Sequence, residues 1–170
     1  SKFSFTAPGK SAASARAQTI ENAYNFTPSG RNNRKALTLG VSTLEFDLGI
    51  TRDGTVVVAH DRHLNPDITR GPDGNWIASP GPRVRDLTLA EIAGYDVGAI
   101  RPDTAYAKTF ATQASLPGTR MPTLDSVFDL VRRSGNASVR FNVETKISPL
   151  ATEETLPPDA FARTVIEQLF

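Results

Sequence analysis

Cysteine is missing from this chain altogether, which removes disulfides, thiolate metal sites and cysteine nucleophiles from the chemistry open to it. Histidine is nearly as scarce, with His60 and His63 the two present, so any imidazole-based proton transfer rests on one of them. No apolar run approaches the ~20 residues a membrane span needs, and the N-terminus shows no signal-peptide hydrophobic region. A soluble protein is therefore expected, and the sequence favours neither an exported nor a cytoplasmic location. Net charge is also scarce, at +1 over 170 residues. That balance hides an uneven distribution, because residues 1–44 carry Lys2, Lys10, Arg16, Arg31, Arg34 and Lys35 against Glu21 alone. No aromatic residues alternate with these charges and no amphipathic period accompanies them, so a nucleic-acid partner is not expected. Residues 1–32 read as an atypical basic lead-in, and 33–170 as the domain proper.

What the chain does contain is enough apolar material, 39% of its residues, for one packed core. Three β-branched or apolar runs each end in ionisable groups: T-L-E-F-D-L at 43–48, V-V-V-A-H-D at 56–61 and F-N-V-E-T-K at 141–146. Each reads as a buried strand that delivers polar side chains to one end of a sheet. The spacing predicts strands over 41–50, 55–59 and 140–144, with an Asp53-Gly54 turn joining the first two. A helix is expected to close at Gly40. A long Pro/Gly/Asp/Arg loop anchored by Trp76 covers 62–86, and a second irregular stretch covers 97–121. Thr88 and Glu91 have capping-box spacing and open a short helix. Pro122-Thr123 open a longer one with Leu124, Val127, Leu130 and Val131 on one face, ended by Arg132, Arg133 and Gly135. After a polar loop at 147–158, a last helix should place Phe161, Val165, Ile166 and Leu169 on one side. This order suggests a mainly parallel α/β sheet or barrel, in which polar groups at the carboxyl ends of strands form the site.

Glu45 and Asp47, at i and i+2 of one strand, project to the same face. Two carboxylates that close repel unless a proton or cation lies between them. The pair is either a set of surface acids answered by Arg or, with Glu144 added from a third strand, the oxygen ligands of Mg²⁺ or Ca²⁺. His60, at a strand terminus, suits a general acid or base with Asp61 as an orienting group, or serves as a structural histidine. Lys146, two residues beyond Glu144, either holds an anionic substrate or neutralises the acids. His63 lies in the following loop with no comparable setting.

From Leu37 onward the sequence resembles the bacterial glycerophosphodiester phosphodiesterases. The motifs that carry the resemblance are L-G-V-S-T-L-E-F-D-L-G-I-T-R-D-G-T-V-V-V-A-H-D-R-H-L-N-P-D-I-T-R, D-L-T-L-A-E-I, M-P-T-L-D-S-V-F-D-L and F-N-V-E-T-K. The resemblance implies a TIM (β/α)8 barrel that hydrolyses glycerophosphodiesters to glycerol 3-phosphate and an alcohol with a divalent cation, Mg²⁺ or Ca²⁺. It implies Glu45, Asp47 and Glu144 as metal ligands, His60 as one of two catalytic histidines, and Lys146 as a group facing the phosphate. The chain departs from the family in two respects. The family begins with a strand ending in His-Arg-Gly, whereas here P-G-K-S at 8–11 and I-E-N at 20–22 keep only the glycine and the Glu-Asn. An eight-stranded barrel also takes about 250 residues, so 170 residues correspond to its N-terminal half. Two open strand edges would then favour self-association, and a descendant that binds metal or phosphodiester without turnover, or serves as an assembly module, is the alternative.

Overall fold

The computed structural model describes residues 2–4, 37, 42–111, 113 and 115–169. The expected helix closing at Gly40 lies outside them, apart from the helical, buried Leu37. Among the described residues one sheet has four strands: β1 (Lys2–Ser4), β2 (Thr43–Ile50), β3 (Val56–Val58) and β4 (Arg140–Thr145). Their order across the sheet is β1-β4-β2-β3.

Strand β2 sets the geometry of everything around it. Leu44, Phe46, Leu48 and Ile50 are all buried and share one face, because strand side chains alternate. They pack with Val56 and Val58 of β3 and with two helices, α3 (Leu124–Ser134) and α4 (Pro158–Leu169), through Leu124, Val127, Leu130, Phe161 and Val165. Phe141 joins edge-on to Phe46, with ring centroids 5.8 Å apart. The opposite face of the hairpin holds a second, smaller cluster of Val57, Ala59, Leu64, Val84 and Ile92. Glu45 and Asp47 alternate with the first set, so the large core fixes their face without touching their charges.

The sheet is mixed rather than mainly parallel. Strand β2 runs parallel to β4, with Asp47 opposite Glu144 and Glu45 opposite Asn142. It runs antiparallel to β3, because the Asp53-Gly54 turn folds the chain straight back, with Gly54 at φ 81°. Strand β1 is antiparallel to β4, pairing Lys2 with Glu144. These three residues fall in the segment read as an atypical basic lead-in, and they form an edge of the sheet.

Helix starts follow the expected chemistry. Thr88 and Glu91 form a reciprocal capping box at α1 (Leu89–Ile92), and Thr123 caps α3 by accepting from the Ser126 amide at 3.2 Å. Gly135 ends α3 in the left-handed conformation at φ 71°, where a side chain would be strained. Two expectations need correction. The 97–121 stretch contains a helix, α2 (Ala105–Thr109), capped by Thr104. In α4, Phe161 and Val165 are buried while Ile166 is 54% and Leu169 37% exposed, so the buried stripe is narrower than the apolar pattern. Trp76 does anchor its loop, with the Arg70 guanidinium stacked 4.5 Å from its ring centre.

Candidate active site

The carboxyl end of β2 meets that of β4 at the rung joining Asp47 and Glu144. Lys146, just past β4, reaches back over this rung, with its Nζ donating to Asp47 Oδ1 at 3.0 Å and to Glu144 Oε1 at 3.0 Å. The backbone amide of Ala59 donates to the Asp47 carbonyl at 3.0 Å, which brings the following residue, His60, to the same rim. His60 Nδ1 donates to Asp61 Oδ1 at 2.9 Å, and Asp61 Oδ2 accepts from Asn65 Nδ2 at 3.1 Å. Glu45 lies one rung further back on the same face of β2, across from Asn142.

The electrostatics follow from burial. Asp47 is 5% exposed, and this desolvation is the largest influence on its carboxyl, pushing the pKa above the ordinary range. Lys146 and His60 pull it down without cancelling that effect, and Glu144 adds to it. Burial weighs most on Lys146 also, but Asp47 and Glu144 outweigh it and hold its ammonium above the usual value. The Asp61 hydrogen bond is the main reason the His60 imidazole sits above 6.5, against desolvation. For Asp61, burial is the largest single influence and raises the pKa, but His60, Asn65 and Lys146 together bring it below the ordinary value. The rim thus alternates acidic and basic groups, running Glu144, Lys146, Asp47, His60, Asp61.

The donor set fits a hard divalent cation in chemistry. Oxygen ligands share one face, and the buried Asp47 retains a charge conflict that its neighbours do not cancel. Among the described residues no three His, Asp or Glu side chains close around a point where an ion would sit. Between Asp47 and Glu144, the cation in place is the Lys146 ammonium.

A profile of the glycerophosphoryl diester phosphodiesterase family matches residues 31–165. The chain belongs to this family. It is 33% identical over 113 residues to a glycerophosphodiester phosphodiesterase of Caldanaerobacter subterraneus subsp. tengcongensis, an alignment covering 66% of this chain and 37% of that one. The crystal structure of a Silicibacter pomeroyi protein, provisionally assigned as a glycerophosphoryl diester phosphodiesterase, superposes with a TM-score of 0.69 at 31% identity, over 84% of this chain and 50% of that one. An Oleispira antarctica phosphodiesterase, solved in complex with the product sn-glycerol-3-phosphate, shares the fold at a TM-score of 0.50 and 22% identity, over 83% of this chain and 47% of that one. The chain therefore spans about half the length of these family structures, and its α/β fold is the corresponding part of their TIM barrel.

Within the family frame, two side-chain groups escaped sequence reasoning. His63 directs Nδ1–H to the Gly81 carbonyl at 2.8 Å and faces Glu154 Oε1 with Nε2 at 3.1 Å, and Arg62 pairs with the other oxygen of Glu154. Arg85 Nη1 donates to the carbonyls of Glu153 at 2.8 Å and Thr155 at 2.6 Å. Tyr106 is the second omission; burial first, then the charges of Asp61 and Asp67, push its phenol pKa up. The first group had no local signal, because Arg62 and His63 meet a partner about ninety positions along the chain.

Proposed function

We propose that this chain contributes the metal-binding and proton-transfer rim of a glycerophosphodiester phosphodiesterase, releasing glycerol 3-phosphate and an alcohol from a small-molecule diester. The observation that carries this reading is the Asp47–Glu144 rung bridged by Lys146, with the His60–Asp61 pair beside it. Glu45, Asp47 and Glu144 would hold the divalent cation, Mg²⁺ or Ca²⁺. When bound, that ion supplies Lewis-acid polarisation of a phosphoryl oxygen. Lys146, already donating to two carboxylates, offers its remaining N–H to a phosphate oxygen. His60 keeps a proton on Nδ1 through Asp61, so proton exchange with substrate falls to Nε2. The Asp61 hydrogen bond favours the protonated imidazole, the form a general acid for the leaving alcohol requires.

The test is metal-dependent release of glycerol 3-phosphate from glycerophosphocholine. Chelation should abolish it, and Glu45→Ala and His60→Ala should each lower it by about 10²-fold or more. Turnover retained in either variant would refute the assigned roles.

A second reading is favoured by one observation: Lys146 already neutralises Asp47 and Glu144. On that reading the chain binds metal or phosphodiester, or joins an assembly, without turning substrate over. Calorimetric metal binding with no hydrolysis would select it, whereas turnover by the 170-residue chain would eliminate it.

A further inference from the structure

The turn that follows Asp61 reaches back to it. Asn65, Pro66, Asp67 and Ile68 close this turn through the Ile68 amide, which donates to the Asn65 carbonyl at 3.1 Å, with asparagine first and proline second as such turns favour. The Asn65 side chain folds over the turn, its Oδ1 accepting from the Asp67 amide at 2.9 Å, the arrangement of an Asx-turn. With the oxygen used in this way, the side-chain amide can turn only its NH₂ end outward, and Nδ2 donates to Asp61 Oδ2 at 3.1 Å. Asp61 is thus gripped at one carboxylate oxygen and presents the other, Oδ1, to His60 Nδ1 at 2.9 Å. The turn is itself anchored, by the buried Leu64 and Thr69 on either side and by the Arg101 amide, which donates to the Asp67 carbonyl at 2.7 Å.

We infer that Asn65 is a positioning residue for proton transfer at His60: by holding Asp61 it fixes the neutral imidazole as the Nδ1–H tautomer and leaves Nε2 as the nitrogen that exchanges protons with substrate. This role rests on the hydrolase reading for the reaction, but not for the tautomer, which is set by the hydrogen bond at the other ring nitrogen. The pair needs such a hold because the Asp61 side chain is 41% exposed and that of His60 32%. Water competes for both groups, and packing alone fixes neither. Released from Asn65, Asp61 Oδ2 turns to solvent and the carboxylate rotates away from the ring. The imidazole then reverts toward Nε2–H, the form an unheld histidine side chain favours in water. An imidazolium that gives its Nε2 proton to a departing oxygen is left as the Nδ1–H tautomer, so Asn65, acting through Asp61, stabilises the ring form that the transfer produces.

Two substitutions separate this role from that of a mere turn former. Asn65→Ala removes both side-chain hydrogen bonds, whereas Asn65→Asp keeps an acceptor for the Asp67 amide, and so the turn, but when ionised has nothing to donate to Asp61. Ring ¹⁵N shifts of the full chain would be recorded at alkaline pH, where the imidazole is neutral, with His63→Gln assigning the two histidines. Wild type should show Nδ1 protonated and Nε2 bare, and both Asn65 variants should move the ring toward Nε2–H. In glycerophosphocholine hydrolysis kcat should fall about 10–100-fold with KM little changed, the range for losing an outer hydrogen-bonding partner of a functional histidine. A wild-type ring in the Nε2–H form would overturn the assignment. So would either variant keeping the wild-type tautomer, or an unchanged kcat in a variant whose tautomer has moved. If Asn65→Ala does not fold, the near-isosteric Asn65→Asp decides. The ring shifts need neither metal nor turnover, so the expected tautomers in a chain that releases no glycerol 3-phosphate would refute the hydrolase reading and leave the hold of Asn65 on Asp61 and His60 standing.

Discussion

Replacing Phe46 with alanine tests the register on which the whole rim depends. Phe46 is 2% exposed and lies between Glu45 and Asp47 in β2, with its ring packed edge-on to Phe141. A buried phenylalanine removes about 150–250 Å² from water, which at about 25 cal/mol per Å² corresponds to roughly 4–6 kcal/mol as an upper bound. Alanine retains part of that area but leaves a cavity, and buried Phe→Ala changes cost about 3–5 kcal/mol. With a urea m-value of about 2 kcal/mol/M, the midpoint followed by far-UV circular dichroism should fall by about 2 M. Phe46→Leu should cost only about 1 kcal/mol, because leucine fills most of the same space. A loss below about 1 kcal/mol in Phe46→Ala would refute the argument. It would mean that β2 is shifted by one residue, turning Phe46 outward and burying Glu45 and Asp47 in the core.

Three further outcomes follow from the same geometry. In an NMR titration His60 should protonate above 6.5, and Asp61→Asn should lower that value; a rise would refute the orienting role. A raised imidazole pKa stabilises the fold fully below about 6.5 and loses that effect as pH rises through the folded value, while the lowered Asp61 stabilises above about 3.8 and fails as pH falls through its own folded value. The pair therefore contributes most in the mildly acidic window between them, and urea melts of wild type against Asp61→Asn across that range check the sign. Gly135→Ala should destabilise by about 1–2 kcal/mol through left-handed strain at the α3 terminus, read by thermal unfolding. Gly98→Ala should be worse, since a Cβ there would lie 1.8 Å from the Leu116 carbonyl oxygen; a thermal midpoint no lower than that of Gly135→Ala would contradict that packing.

Local chemistry was legible wherever neighbours in sequence are neighbours in space. The capping box at Thr88, the Thr123 start and Gly135 stop of α3, and the alternation of β2 each depend on residues within a few positions, and each is present. Strand pairing depends on distant partners and was less legible. The Asp53-Gly54 turn signalled the antiparallel β2–β3 pair, but the apolar runs are equally consistent with parallel and antiparallel neighbours, so the β2–β4 pairing and the pairing of Lys2–Ser4 with β4 had no sequence signal. Helix α2 was missed because none of its residues is buried, leaving no apolar period to detect. Of the candidate site, Asp47, Glu144, Lys146 and His60 meet at one rim, and Glu45 shares their face one rung away. The two roles left open for Lys146 are not exclusive, since the ammonium that neutralises two carboxylates still has a third hydrogen to offer.

Arg62, Arg83 and Arg85, together with His63, all grip the short turn at Thr152–Glu154 and the residue after it. The segment leaving His60 and the segment entering α4 are consequently sewn into a single opening unit. Their amides should exchange with solvent at one shared rate, and slackening any of those stitches should loosen the histidine's surroundings as readily as the distant helix.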